Sequence, residues 1–369
     1  MQHKTGFNNQ LIKYTLVIAS MVLVIFSGFS SAVAQEDESL EATLQKLSAD
    51  AAKKYVSPIS SAFGANLNGG WFHRAPDAKV FGLNFEIGLV GMGSFFPDDS
   101  KSFSTSGQFR FNENQARSIV SGKGYGAAVE DELVEQITSE YFDVEISGAT
   151  VVGDSKDSIR VVFPGKTFTV GGQDYEVPTS TVTLPVAGFG DLADMNILPL
   201  FAPQLTIGTV YGTQLTFRYL PSIKLNDELG KLKYFGFGIQ HNPGIWFANP
   251  LPLNVAASFY TQKLEIGSLF KTTTTSFGIT ASKQFGTNFL NLTPYAGFLL
   301  ESANMEVTYD YIVITPGGTY KEEVSIEIEG ENKSRLTVGL SAKLLSFNLN
   351  ADYNFGKYNS ITAGLTVGF

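Results

Sequence analysis

The last eleven residues, 359–369, constrain the fold of this chain more than any other stretch. One set of alternate positions is apolar, and the intervening positions carry only serine, threonine and glycine. A period of two with one wholly apolar side is typical of a β-strand whose faces meet different solvents. In an outer-membrane barrel those solvents are lipid outside and a polar lumen inside. We therefore predict a C-terminal strand for the barrel-assembly machinery to recognise. Its apolar face is Ile361, Ala363, Leu365, Val367 and Phe369.

The N-terminus has the pattern of an export signal. Lys4 and Lys13 precede an apolar run over residues 14–29, and small residues follow it up to Ala34. This order predicts a signal peptide, residues 1–34, cleaved between Ala34 and Gln35. Because the apolar run is long for a signal peptide, an uncleaved membrane anchor stays open as the alternative.

Composition excludes several classes of function. The net charge of −9 is a poor match for nucleic acid. The chain has no cysteine, which excludes disulfides and thiol chemistry. After residue 29 no apolar run reaches the ~20 residues of a transmembrane helix. Any membrane span must then consist of strands, and a closed barrel is the sheet that leaves no unpaired edge in lipid.

We predict an all-β fold, a transmembrane antiparallel β-barrel. At roughly 10 residues a strand, the chain is long enough for about 14 strands, with 12–16 allowed. A soluble β-sandwich shows the same alternation. The export signal, the strand length and the terminal aromatic residue favour the membrane barrel and a location in the outer membrane.

A short helix precedes the barrel. Leu40, Leu44, Leu47 and Ala51 recur at helical spacing, which predicts a helix over residues 39–56 that Pro58 ends. A single apolar stripe needs one packing surface, which favours a periplasmic helix (residues 35–60) closing the barrel mouth. A plug inside the lumen is the alternative.

Residues 61–369 form the predicted barrel domain, with a less regular α/β insertion at 95–203. From residue 204 the alternation becomes regular, and it places four charged residues on polar strand faces. We predict that these line the lumen: Arg218, Arg335, Lys343 and Asp352. Residues 303–332 form either two further spans or a hairpin that projects beyond the membrane.

An apolar segment, residues 184–203, lies within the insertion. Pro185, Pro199 and Pro203 interrupt it, so we predict an irregular conformation rather than a central strand. It either packs on the barrel rim or folds into the lumen as the lining of a passage for an apolar compound. The candidate ligand-contacting residues are Phe189, Leu192, Met195, Ile197, Leu198 and Phe201.

Three blocks of the chain resemble a family of uncharacterised Gram-negative outer-membrane β-barrel proteins. The first is Ala62-Phe63-Gly64-Ala65-Asn66-Leu67-Asn68-Gly69-Gly70-Trp71-Phe72-His73. The second is Pro203-Gln204-Leu205-Thr206-Ile207-Gly208 with Phe217-Arg218-Tyr219-Leu220-Pro221. The third is Gly330-Glu331-Asn332-Lys333 with Asn348-Leu349-Asn350-Ala351-Asp352-Tyr353-Asn354 and Gly356-Lys357-Tyr358-Asn359. The chain is also distantly similar to the fatty-acid-transport porins, a likeness of architecture that implies no binding residues.

Few residues suggest chemistry. After the signal, the histidines are His73 and His241, and neither has a Ser-x-x-His or Gly-x-Ser-x-Gly element nearby. We therefore expect no enzyme activity, catalytic residue, metal site or cofactor, and interpret both histidines as solvated or interface residues. Trp71 and Trp246 are interpreted as membrane-interface anchors.

These features predict a passive transporter or channel for a small hydrophobic compound. A structural or adhesive surface barrel is the alternative, and an outer-membrane lipid hydrolase is a weaker third reading. The expected partners are outer-membrane lipid, the barrel-assembly machinery and a small hydrophobic ligand, with no nucleic acid.

Overall fold

A computed structural model of the chain describes residues 40–109, 111, 113–183, 187–188, 196–226, 230–248, 251–268, 270–315 and 318–368. The predicted signal peptide and its cleavage site, Ala34 and Gln35, lie outside these residues. The helices are α1 (Leu40–Asn68), α2 (Glu113–Val120) and α3 (Ala127–Ser139). In the described ranges, none of them combines the length and apolar character that crossing a membrane requires.

Eighteen strands are described. They are β1 (Phe81–Phe95), β2 (Ser102–Phe109), β3 (Phe142–Ala149), β4 (Arg160–Phe163), β5 (Lys166–Val170), β6 (Gln173–Val177), β7 (Ser180–Thr183), β8 (Ile197–Val210), β9 (Thr213–Asn226), β10 (Gly230–His241), β11 (Asn254–Ile266), β12 (Phe270–Ser282), β13 (Phe285–Gly286), β14 (Leu290–Thr315), β15 (Gly318–Glu329), β16 (Ser334–Leu344), β17 (Phe347–Phe355) and β18 (Ser360–Gly368).

Ten strands close into an antiparallel barrel. Going round it, the order is β1, β8, β9, β10, β11, β12, β14, β16, β17 and β18, and β18 pairs with β1 again. The predicted all-β barrel is confirmed. The predicted number of about 14 strands is wrong, because β2–β7 form separate sheets and β15 extends beyond the barrel wall.

The two faces of the barrel wall differ in polarity. On β16, Val338 and Leu340 are each 50% exposed, whereas Thr337 and Ser341 are buried. Exposed large apolar side chains recur on the outer face of every barrel strand, for example Phe85, Phe259 and Phe298. A continuous apolar surface of this size is stable against lipid and unfavourable in water. The fold is therefore that of an outer-membrane β-barrel.

The C-terminal strand follows the predicted alternation. In β18, Ile361 and Leu365 are exposed on the outer face, while Ser360, Thr362 and Thr366 are buried inside. The strand pairs with β1 on one side and β17 on the other, so it is part of the closed wall. Phe369 lies outside the described residues.

The two ends of the barrel are built differently. We call one the turn mouth, where Tyr211–Gly212 and Leu345–Ser346 join neighbouring strands in two-residue turns. The other is the insertion mouth, where residues 96–196 leave the wall between β1 and β8. There the β14–β15 hairpin also projects, with pairing from Asn304–Glu329 to Thr315–Gly318. Of the two alternatives for residues 303–332, the structure has the projecting hairpin.

Helix α1 does not stop before Pro58 but continues to Asn68. A proline at this position cannot donate to the carbonyl of Lys54. The Ser57 hydroxyl donates to that carbonyl instead, at 3.2 Å. Residues 55–68 are almost all buried, so packing on several sides outweighs the cost of the proline.

The insertion between β1 and β8 has a core of its own. β2, β3, β4 and β7 form a four-stranded sheet, and β5 pairs with β6. Apolar residues at helical spacing give helix α3 one buried face, where Leu133 and Ile137 pack with Phe142 and Phe168. The insertion therefore adds a second layer of structure at the insertion mouth.

Strand β8 corrects the prediction for residues 184–203, because residues 197–203 form a regular part of the wall. Pro199 and Pro203 pair with Gly93 and Leu89 of β1. The ladder with β9 runs only over Gln204–Ile207 and Val210, so neither proline needs to donate on that side. Proline is tolerated where a strand has no ladder partner on one side, as here towards β9. Pro199 and Pro203 are four positions apart in β8, so their backbone nitrogens face the same side of the strand.

The lipid-facing assignment predicts a position-dependent cost of charge. Val338→Arg should destabilise the barrel by about 2–4 kcal/mol, because it places a cation in the apolar band. Thr167→Arg, on an exposed position of the insertion strand β5, should change stability by less than about 0.5 kcal/mol. Urea unfolding in lipid vesicles measures both. Equal effects of the two substitutions would contradict the assignment.

Candidate functional site: the plugged lumen

The lumen contains part of the chain's own N-terminal region. We call residues 55–77 the plug segment. A Cβ atom at Gly64 would meet Ala303 of β14, and one at Gly70 would meet Val90 of β1 and Thr362 of β18. Trp71 packs against β10 and β11. Since these strands lie on different sides of the barrel, the plug segment runs through its interior.

Two arginines of the wall hold the C-terminal end of α1. Arg218 donates to the carbonyl of Gly69 at 2.9 Å and to that of Leu67 at 3.4 Å. Arg335 donates to the carbonyl of Ala65 at 2.6 Å. The last carbonyls of a helix lack partners within it and carry partial negative charge, so guanidinium groups are favourable there. The wall thereby caps a helix that the lumen encloses.

Arg335 also forms a buried ion pair. Its Nε lies 3.0 Å from Oε2 of Glu301, and both side chains are 1% exposed. Attraction offsets the desolvation of two charges only when the geometry is good. Removing one partner alone would leave an uncompensated charge in the lumen.

Aromatic side chains fill the middle of the lumen. Trp71 stacks on Tyr260 with ring centroids 5.1 Å apart, and the guanidinium carbon of Arg218 lies 4.1 Å from the indole centroid. The inward position Gly236 makes room for the indole, because a Cβ there would lie 2.7 Å from it. Gly297 does the same for Phe72 at 2.6 Å.

A second polar cluster lies towards the turn mouth. Glu86 of β1 accepts from Arg74, and its Oε2 lies 3.1 Å from Nε2 of His73. Next to them, Asn242 donates to the carbonyl of Pro76 at 2.7 Å. The plug segment is thus held at both ends.

Asp77 ends the plug segment with a hydrogen bond from Asn254 at 3.0 Å. Burial alone would raise the pKa of the Asp77 carboxyl. The hydrogen bonds from Lys79 and Asn254 and the nearby positive charges outweigh this effect and hold the pKa below its usual value. The carboxylate therefore stays ionised where the chain leaves the lumen.

The structure places the four residues predicted on polar strand faces around this lumen. Arg218, Arg335 and Asp352 are buried inside, and Lys343 is half-buried near Glu86. Asp352 accepts from Tyr295 at 2.9 Å, from Asn354 at 2.7 Å and from Thr362. The guanidinium groups contact the plug segment, whereas these hydrogen bonds join Asp352 to other residues of the wall.

The predicted ligand-contacting segment is not a single surface. Phe189, Leu192 and Met195 lie outside the described residues. Leu198 faces inwards and is buried, but Phe201 is 36% exposed on the outer face of the same strand. Because β8 is regular, side chains at successive positions point to opposite faces of the wall. Leu198 and Phe201 are three positions apart, so Phe201 cannot line the lumen with Leu198.

Sequence reasoning missed several residues of the plugged lumen. Trp71 is no interface anchor, because it is 1% exposed, whereas Trp246 is 72% exposed. His73 is buried beside Glu86 rather than solvated. Glu301 was not identified as a lumen residue, although its parity in β14 matches that of the buried Leu299 and Ala303. The alternation of inward and outward positions along β14 was therefore the sequence signal that could have identified Glu301 as a lumen residue.

His241 lies apart from the plug, at the turn mouth. Its Nδ1 is 2.9 Å from the Thr213 hydroxyl, and its ring packs on Trp246. Among the described residues no three histidine, aspartate or glutamate side chains are grouped to hold a metal ion.

A family model matches residues 12–369, almost the whole sequence. The chain belongs to the DUF6588 family, a family of unknown function. This family match agrees with the resemblance to uncharacterised barrels, while the likeness to fatty-acid-transport porins stays an expectation. No curated protein matches this DUF6588 chain.

Several solved outer-membrane barrels are similar to this DUF6588 protein. The loop L8 deletion mutant of OmpT from Vibrio cholerae is 11% identical, with 79% of this chain and 100% of that chain covered and a TM-score of 0.23. The N-terminal β-barrel domain of Pseudomonas aeruginosa OprF is 16% identical over 42% of this chain and 93% of that chain, with a TM-score of 0.20. The β domain of the Bordetella autotransporter BrkA is 11% identical over 77% and 99%, with a TM-score of 0.18. At this level of similarity they indicate nothing about function.

The buried ion pair predicts a non-additive effect on stability. Arg335→Met should cost about 3–5 kcal/mol, because it leaves Glu301 charged and unpaired, and the double variant Arg335→Met/Glu301→Leu should cost less than the single one. Urea unfolding, followed by the gel shift between folded and boiled protein, measures both.

The exposed pair Lys333–Glu329 serves as the control, with side chains 65% and 78% exposed. Lys333→Met should cost less than about 1 kcal/mol. A double variant at 335 and 301 that is less stable than either single variant would contradict the burial of this pair.

Proposed function

We propose that this protein is a passive transporter of the outer membrane for a small hydrophobic compound, and that the plug segment controls the passage. The proposal includes export through the signal peptide cleaved between Ala34 and Gln35. The closed barrel and its apolar outer face support the membrane location. Since α1 fills the lumen, diffusion through an open pore does not fit this conformation, and transport requires the plug segment to move.

One observation favours an apolar cargo: the pairing of β8 with β9 stops short of the insertion mouth. The β8–β9 ladder ends at Gln204 and Arg218, although both strands continue. Beyond this point lie Pro199 and Pro203 in β8 and Pro221 in β9, which we call the proline seam. Proline has no backbone donor, so none of these three positions can donate a ladder hydrogen bond.

Behind the proline seam lies an apolar cluster. Leu198 and Ala202 of β8 are buried with Met92 of β1, and Phe63 and Leu67 of α1 pack in the same cluster. A compound that entered between β8 and β9 would meet these side chains rather than the polar lumen. The seam therefore suits a molecule that partitions into lipid and exchanges between the membrane and this cluster.

The contacts of the plug segment suit a movable element. Arg218 and Arg335 of the wall donate to the plug segment, and Asn66 of the plug segment donates to the carbonyl of Leu198; water can replace these hydrogen bonds when the helix shifts. The mechanism is displacement of α1 by an apolar compound, passage down its concentration gradient and return of the helix, with no cofactor. The expected likeness to fatty-acid-transport porins makes a fatty acid the first hydrophobic compound to test.

A disulfide that ties the plug segment to the wall should stop transport. A Cβ at position 64 would lie 2.5 Å from the Cβ of Ala303, and a disulfide needs about 3.8 Å, so a small shift of the helix accommodates Gly64→Cys/Ala303→Cys. Since the chain has no other cysteine, the oxidised double variant should lose uptake of a labelled fatty acid and recover it on reduction.

The control pair Thr261→Cys/Thr275→Cys joins β11 to β12, where the two hydroxyls lie 3.4 Å apart. It stiffens the wall without touching the plug segment, so its uptake should not change on oxidation. Undiminished uptake by the oxidised 64–303 variant would exclude movement of the plug segment as the gate.

A surface scaffold is the second candidate function. The insertion and the β14–β15 hairpin both lie beyond the barrel at one mouth, which is an arrangement suited to contacts outside the membrane. If the protein is a surface scaffold without transport activity, replacing residues 306–327 by a short turn should abolish adhesion without any change in permeability. The weaker hydrolase reading requires His73 or His241 to matter, so normal lipid hydrolysis in a His73→Ala/His241→Ala variant would end it.

A further inference from the structure

The plug segment has a defined direction along the barrel axis. Near its beginning, the carbonyl of Tyr55 accepts from Val151 at 3.1 Å, and the Tyr55 hydroxyl donates to the carbonyl of Ala187 at 2.8 Å. Both partners belong to the insertion. Near its end, Pro76 accepts from Asn242 at the turn mouth. The chain thus enters the lumen at the insertion mouth and leaves it at the turn mouth.

The connections indicate which mouth faces the cell exterior. Outer-membrane barrels have short turns on the periplasmic side and longer loops outside. The longest connection at the turn mouth is residues 242–253, whereas residues 96–196 and the β14–β15 hairpin lie at the other mouth. The turn mouth is therefore periplasmic and the insertion mouth external.

These two observations define an unusual topology for the N-terminal helix. After export, a chain reaches the outer membrane from the periplasm, yet α1 starts at the external mouth and runs inwards to β1. We infer that the barrel has a second activity, the export of its own N-terminal helix through its lumen. This activity leaves residues 40–54 of α1 at the cell surface.

The interior explains why the helix stays where it is. Trp71 and Phe72 occupy gaps that exist only because Gly236 and Gly297 lack side chains. A helix with its side chains is about 10–12 Å wide, so it cannot pass these contacts in a closed ten-stranded wall without breaking them. Trp71 and Phe72 follow the helix in the sequence, so these contacts form once the helix has passed outwards, and they keep it from sliding back through the lumen.

Cysteine labelling on intact cells tests the topology, because the chain has no native cysteine. Lys53→Cys places a thiol on an exposed position of α1, and Lys156→Cys places one on the insertion as the external reference. Tyr211→Cys, at a residue 63% exposed in a two-residue turn, is the periplasmic reference. Each variant must keep the gel shift of the folded barrel. The probe is a membrane-impermeant maleimide, applied with and without permeabilisation of the outer membrane.

In intact cells, Lys53→Cys and Lys156→Cys should react on the order of tenfold faster than Tyr211→Cys, since the bilayer excludes the probe. Permeabilisation should raise only the labelling of Tyr211→Cys. Asp50→Cys, also exposed on α1, provides a second position if Lys53→Cys fails to fold. Labelling of α1 only after permeabilisation would overturn the inference, whether or not Lys156→Cys is labelled in intact cells.

Discussion

Backbone hydrogen bonding in lipid is the constraint on which this structure depends. The bilayer core offers no water to an unpaired N–H or C=O group, so strands that face lipid must close into a barrel. Here the closure is made by β1 with β18 and by β12 with β14. The apolar outer face, the polar inner face and the enclosed helix all follow from that closed ladder. The exception is the proline seam, where the ladder ends before the strands do.

The size of the barrel determines what its lumen can hold. An eight-stranded barrel is filled by its own inward side chains, and a porin of 16–18 strands leaves a water-filled channel. Ten strands lie between these cases. Small inward residues such as Gly236, Thr274 and Gly297 leave space for one helix and its aromatic neighbours. Polar residues also line the lumen, so hydrogen bonds from Arg218 and Arg335 to helix carbonyls stabilise the helix in addition to apolar packing.

The sequence predicts the wall well, because the alternation of β16, β17 and β18 is local information that each strand carries by itself. The same parity indicates that Arg218, Arg335 and Asp352 face inwards. It does not show what they face, since the plug segment contacts strands that are far away in the sequence. For this reason Trp71 and His73 were misassigned. The prolines misled in the same way twice, because each predicted an interruption that the fold does not have: Ser57 compensates for Pro58 within α1, and Pro199 and Pro203 lie on a free edge of β8.

The transport proposal, the buried charges and the topology of α1 all depend on a lumen that the chain itself closes. Conductance of the purified full chain in a planar bilayer tests this most directly. The structure predicts a closed baseline, with openings that appear when Arg218→Ser/Arg335→Ser weakens the hold on α1. A steady open conductance from the unmodified chain would contradict the plugged barrel.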